Sequence, residues 1–177
     1  MGEEVRTLES QLSDFIDVKH TITCANGTDA LQLSLMAMEI GPGDAVFTTT
    51  FTFFSTAEAI RLVGATPIFV DIELTTFNID TDKLQTKIER LIDEGSTFPK
   101  AIIAVDLFGL PANYPELVIL AERYDLKIIE DAAQSLGGEV EGKIAGSFGD
   151  IATTSFYPAK PLGCYGDGGA LFTNNDY

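Results

Sequence analysis

Tryptophan is absent from this 177-residue chain, histidine occurs once and cysteine twice. With His20 as the single imidazole, a histidine-rich metal site or a Ser-His-Asp triad can hardly be assembled, and His20 reads as a structural residue at a strand start. Cys24 and Cys164 are too few for a disulfide framework or a cysteine metal quartet, which fits two reduced thiols in a cytoplasmic protein. No apolar run reaches the length of a membrane span. The start, Met1-Gly2-Glu3-Glu4, has neither a basic n-region nor an apolar h-region, so no secretory signal is expected. Arg6 stands where a myristoylation signal needs Ser or Thr. Cations are scarce: 11 Lys+Arg stand against 27 Asp+Glu, for a net charge of -16. A surface that acidic repels phosphate backbones, so neither nucleic acid nor membrane is an expected partner. A small anionic ligand in a locally positive pocket remains open. Neither a Walker sequence nor GxGxxG occurs, which disfavours an ordinary nucleotide-binding domain.

What is present is a regular alternation. Val5, Leu8, Leu12, Phe15 and Ile16 fall on one face at helical spacing. A short strand, "KHTITCA", follows, and "NGTDALQLSLMAMEIG" predicts a turn, an N-cap and a helix stopped at Gly41-Pro42-Gly43. Strand and helix then alternate through "AVFTTT", "STAEAIRLVG", "TPIFVDI", "DTDKLQTKIERLIDEG", "KAIIAVDLF", "YPELVILAERYD" and "LKIIEDA". The strands are continuous apolar runs, the pattern of a mostly parallel sheet covered by helices on both faces in an α/β domain. After residue 145 the helices stop, and "DIATTSF" and "GGALFTN" predict two more strands joined by a proline-lysine-glycine loop. No internal repeat, low-complexity tract or linker interrupts the chain.

In such a sheet, ligands bind where strands end and helices begin. Three places stand out. At "CANGTDAL", Gly27 and Thr28 precede a helix whose first amides lack intrahelical partners and suit a phosphate; equally, Asn-Gly makes a turn and Thr28 caps a helix. Asp131 ends a buried strand, where a carboxylate binds a cation, a metal or a protonated ring nitrogen, or simply caps a helix. Glu130 beside it points to the opposite face, so the two form no dyad. Lys160 sits between Pro158 and Pro161 in a stiff loop. There it is either a surface residue or an amine poised for a Schiff base, with pyridoxal phosphate the commonest partner for that chemistry. Such a cofactor needs a lysine, an acid for its ring nitrogen and a phosphate cradle, and Lys160, Asp131 and the Gly27-Thr28 turn offer one of each.

The stretches "CANGTDAL", "TFTFFSTAEA", "IEDAAQSLGG" and "TSFYPAKPLGCYGDGGALFTNND" resemble the DegT/DnrJ/EryC1/StrS family of sugar aminotransferases, within the fold type I pyridoxal phosphate enzymes. The resemblance runs along nearly the whole chain. It implies a three-layer αβα large domain and a cytoplasmic enzyme. In it, Lys160 is the Schiff-base lysine and proton shuttle, and Asp131 keeps the pyridine nitrogen protonated. Gly27, Thr28 and Ser155 hold the cofactor phosphate. Phe53 stacks on the ring, against the alternative of core packing in "FTFF", and Gln134 contacts the cofactor's hydroxyl side. Family dehydratases carry histidine where this chain has Lys160, so transamination is favoured over dehydration.

Within the family, "KPLGCYGDGGA" and "CANGTDALQ" are most similar to enzymes that aminate C3 of a UDP-linked 3-keto-N-acetylglucosaminuronate, usually with glutamate as donor, for O-antigen and other surface polysaccharides. Family members are homodimers, and they continue into a smaller second domain. Residues 1–177 are therefore expected to be a single, incomplete cofactor-binding large domain lacking the small C-terminal domain. The rival expectation is a truncated, non-catalytic αβα module of the same lineage.

Overall fold

The computed structural model describes residues 2–176. In chain order the elements are α1 (Glu3–Ile16), β1 (His20–Cys24), α2 (Gly27–Ala37), β2 (Asp44–Thr49), α3 (Ser55–Leu62), β3 (Thr66–Val70) and α4 (Thr81–Glu94). They continue with β4 (Phe98–Val105), α5 (Tyr114–Tyr124), β5 (Lys127–Asp131), a small hairpin of β6 (Glu139–Val140) and β7 (Lys143–Ile144), then β8 (Ile151–Ser155) and β9 (Gly169–Thr173). Every helix and strand expected from the periodicity is present. The two-residue hairpin strands and a 3-10 turn at Leu107–Gly109 are additions too short to leave a periodic signal.

Local chemistry sets the boundaries. The α4 helix begins where the Asp80 side chain accepts the Lys83 amide at 3.0 Å and ends at Gly95, whose φ of 61° closes the last turn. Leu84, Ile88 and Leu91 line its buried stripe, each worth about 1.5–3 kcal/mol when removed from water. The α2 helix stops earlier than its sequence predicts. Glu39 adopts φ 55° and the Ile40 amide turns back to the Leu35 carbonyl at 3.0 Å. This brings Ile40 into the core at 5% exposure, so apolar burial ends the helix and Gly41-Pro42-Gly43 serves as the turn into β2.

The seven-stranded sheet has the order β1-β9-β8-β5-β4-β2-β3. Only β9 runs against its neighbours; β8, β5, β4, β2 and β3 pair in parallel. Because β9 is antiparallel to both β1 and β8, β1 points the same way as the rest. Its carboxyl end and the start of α2 therefore lie on the edge where β5 delivers Asp131. One face is covered by α2 and α3 through Leu31, Leu35, Ala59 and Ile60 against Val46, Ile103 and Ile129. The other is covered by α4 and α5 through Leu84, Ile88 and Leu117 against Phe47, Ile102 and Ile128. α1 adds Leu12 and Ile16 against Ala152 and Phe172. This is the expected three-layer α/β arrangement. Among the described residues no helix is long and apolar enough to cross a membrane.

Candidate active site

Strand alternation decides which carboxyl reaches the edge. Along β5, Ile129 packs toward α2 and α3 while Ile128 packs toward α4 and α5, so Asp131 follows the first and Glu130 the second. Asp131 is 6% exposed. The Thr56 hydroxyl donates to its Oδ2 at 2.9 Å and the Ala133 amide to its Oδ1 at 3.3 Å. Burial raises its pKa above the ordinary carboxylate value, while these two donors and the charge of Lys160 pull the other way. No helix follows β5: the chain enters a series of turns, so the helix-capping alternative for Asp131 does not hold.

Lys160 is mounted on a loop tied at several points. The Phe156 amide donates to Gly168 O at 2.7 Å, the Cys164 amide to Phe156 O at 2.8 Å, and the Lys160 amide to Tyr157 O at 2.8 Å. With Pro158 and Pro161 restricting the backbone on either side, the ammonium is presented from a fixed base. Its charge reaches Asp131, and both residues line one cavity of about 1140 Å³.

The same cavity reaches the start of α2. There the helix cap is Asn26, whose Oδ1 accepts the Asp29 amide at 2.8 Å. Thr28 is thus not the cap, and its hydroxyl shares a 2.7 Å hydrogen bond with Ser55 at the start of α3. Gly27 and Thr28 contribute the two leading helix amides that have no intrahelical acceptor. Ser155, at the end of β8, presses on Gly27 and supplies a further hydroxyl. Phe53 is 67% exposed and faces the cavity, so it is not a core residue. Gln134 also lines it, with its Oε1 accepting the Phe108 amide at 3.0 Å.

All the residues singled out in the sequence thus meet in one place. Thr56 did not signal itself: in "STAEA" it reads as an ordinary first-turn threonine, and only the packing of α3 against β5 brings its hydroxyl to Asp131. Asn26 and Ser55 were likewise hidden, since cap identity depends on where the turn ends.

An open α/β domain that sets an amine and a buried carboxylate against a helix N-terminus at one sheet edge is the architecture of fold type I enzymes. The chain belongs to the DegT/DnrJ/EryC1/StrS aminotransferase family, whose profile matches residues 1–177. It is 48% identical over 176 residues to the UDP-2-acetamido-2-deoxy-3-oxo-D-glucuronate aminotransferase of Pseudomonas aeruginosa, a match covering 99% of this chain and 47% of that protein. A crystal structure of a DegT/DnrJ/EryC1/StrS aminotransferase from Brucella abortus superposes with a TM-score of 0.98 at 55% identity, over 99% of this chain and 47% of that one. A Bacillus subtilis structure with bound cofactor PMP superposes with a TM-score of 0.90 at 35% identity, over 99% of this chain and 38% of that one. The chain therefore spans about half the length of the curated relatives it matches.

Proposed function

We propose that this chain is the cofactor-holding part of a pyridoxal phosphate-dependent aminotransferase acting on a nucleotide-linked keto-sugar. The observation that carries the reading is the convergence of Lys160, Asp131 and the α2 N-terminus on one cavity. The residues fit the cofactor's three ends. Asp131 is a buried carboxyl with room for a cationic partner, the leading amides of α2 suit a phosphate, and Lys160 is the amine. A Cβ on residue 27 would strike Ser155, so glycine is what lets the leading amides of α2 lie against the end of β8.

When bound, pyridoxal phosphate supplies a carbonyl for amine exchange and a ring that takes up the electron pair left on the reacting carbon. The chain's own groups do the rest. Lys160 Nζ would be the amine that holds the cofactor and would move a proton at the reacting carbon. Asp131 keeps a proton on the ring nitrogen, and Thr56 orients Asp131. Gly27, Thr28 and Ser155 bind the phosphate, Phe53 covers the ring face and Gln134 faces its hydroxyl side.

Similarity to the Pseudomonas relative favours a UDP-linked 3-keto sugar acid as substrate. An amino acid such as glutamate is the donor and surface polysaccharide the destination. The free thiols of Cys24 and Cys164 suit the cytoplasm, and the assembled enzyme is a homodimer. The test is borohydride reduction after stoichiometric pyridoxal phosphate, followed by peptide mass analysis. The adduct is expected on the peptide bearing Lys160 and absent from Lys160→Arg protein. An equal adduct yield in that variant overturns the assignment.

A further inference from the structure

Behind Asp131 lies a second pair of carboxyls that the proposed chemistry does not use. Glu130 leaves β5 on the face opposite Asp131, and Asp106 follows β4, the strand paired beside it; both are 0% exposed. Glu130 Oε1 accepts the Gly146 amide at 2.5 Å and its Oε2 accepts the Phe148 amide at 2.7 Å. Asp106 Oδ1 accepts the Ala112 amide at 3.0 Å and the Tyr114 hydroxyl at 2.8 Å, and its Oδ2 accepts the Ser135 hydroxyl at 2.9 Å. Glu130 stands opposite Ala104 in the parallel ladder, and Asp106, two residues beyond Ala104 on the same face, is its diagonal neighbour. Ionised carboxyls are acceptors only, so two neighbouring carboxyls can bond to each other only through a proton on one of them. Two bare carboxylates in contact at this depth would repel each other with no water between them.

We propose that Asp106 and Glu130 hold one proton between them and act as a positioning pair for the cavity wall that carries Phe108 and Gln134. Asp106 ties the segment after β4 to the turn after β5, through Ala112 and Tyr114 on one side and Ser135 on the other. Between those ties, the Phe108 amide is held by Gln134 with φ 57°, a left-handed conformation that a residue with a Cβ keeps only when its surroundings impose it. Glu130 ties in a third segment at Gly146 and Phe148. The wall is thus fixed by bonds that all meet at one proton.

The surroundings supply no substitute for it. The Tyr114 hydroxyl faces the pair from α5, and Asp131 lies beyond it on β5; both carboxyls and Asp131 hold the Tyr114 pKa above its ordinary value, after burial. Lys143 lies 6.0 Å from the centre of the Phe148 ring, which stacks on Tyr114 at 4.4 Å. Among the described residues, no lysine, arginine or histidine forms an ion pair with either carboxyl. Burial raises both groups, Asp106 to about 6 and Glu130 further above its ordinary value. A raised acid stabilises the fold below its unfolded pKa and loses that contribution as pH rises through its folded pKa.

The positioning role rests on the cavity being the cofactor site; the shared proton does not. Carboxyl carbon NMR of the unsubstituted chain is expected to find one of the two groups still protonated near pH 7, where ordinary carboxyls have long ionised. Two carboxylate signals at that pH overturn the proposal whatever the variants do.

Asp106→Asn keeps every bond: its oxygen accepts from Ala112 and Tyr114, and its amide donates to Glu130 and to a turned Ser135 hydroxyl. Its melting temperature is expected to fall between about pH 5 and pH 8 by ~2–4 °C less than that of the parent. Identical pH slopes overturn the shared proton. Asp106→Ala is expected to weaken pyridoxal phosphate binding at least ~10-fold, with Asn restoring it. An alanine variant that binds as tightly as the asparagine one overturns the positioning role and leaves the proton result standing.

Discussion

Gly27 and Ser155 touch so closely that no side chain fits between them: a Cβ placed on residue 27 would lie 2.7 Å from the Ser155 Cβ and 3.3 Å from its Cα. The contact seats the first turn of α2 against the end of β8. It joins two segments far apart in sequence, and the glycine is required here by close approach, since its φ lies outside the left-handed region.

Gly27→Ala is expected to push α2 away from β8 at a cost of ~1–3 kcal/mol, the usual range for overpacking a filled contact. Cofactor affinity should fall more steeply than stability, because the displaced amides are those assigned to the phosphate. Thermal unfolding and a pyridoxal phosphate titration of the same preparation separate the two effects. Unchanged affinity in a destabilised variant would remove Gly27 from the phosphate site.

Thr56→Val removes the hydroxyl that donates to Asp131 and shares a 2.9 Å hydrogen bond with Thr52. Valine is nearly isosteric, so the expected loss is that of a buried carboxyl deprived of a donor, ~1–3 kcal/mol. The Asp131 pKa should rise further, since Thr56 is the largest of the influences lowering it. A carboxyl NMR titration reads this directly, and an unshifted Asp131 would show that its donor lies elsewhere.

Pro161→Ala tests the bracket around Lys160. Releasing the backbone restriction costs ~0.4–1 kcal/mol through the unfolded state, a small change in melting temperature. The yield of borohydride-trapped adduct at limiting cofactor is expected to drop by more than that free energy accounts for, because the amine loses its fixed base. Equal yields would make the proline a stability feature only.

The dependence of stability on pH has a definite sign above about pH 5. Asp71, Glu89 and Asp176 are exposed, with pKa values lowered by hydrogen bonds and, to a lesser extent, by nearby cations. Their contributions are complete once pH exceeds the unfolded carboxyl values, so they change only in more acidic solution. Asp106, Glu130 and Asp131 are raised by burial, and raised acids lose their contribution as pH climbs through their folded values. The cofactor-free chain should therefore melt at a lower temperature at pH 7 than at pH 5. A rise over that interval would contradict the burial of these three groups.

The sheet was legible because its strands are unbroken apolar runs between amphipathic helices, and Lys160 because two prolines mark its loop. Phe53 was ambiguous for a physical reason: an aromatic in "FTFF" has the same composition whether it lies in the core or faces a cavity, and only its 67% exposure settles which. The end of α2 was misplaced because Gly41-Pro42-Gly43 is a strong stop, yet the helix yields earlier so that Ile40 can turn inward. Glu130 faces away from Asp131, as its place in the strand predicts, but its position beside Asp106 is set across two strands and leaves no local trace. Pairings of this kind depend on sheet order, which spacing along one strand does not encode.

The single reversed strand has a consequence for the order in which the molecule comes together during synthesis. Among the described residues β1 has β9 as its only neighbour in the sheet, pairing His20 with Thr173 through to Cys24 with Gly169. A ribosome releases His20–Cys24 before β2 to β8 and Gly169–Thr173 after them, so β1 waits unpaired while β2 to β8 can already zip up beside one another. Closing a loop of that length is entropically slow. The anion-binding end of α2 hangs on that edge, so cofactor capture becomes a late event, available to a nascent chain only after the lysine loop and the strand behind it have emerged.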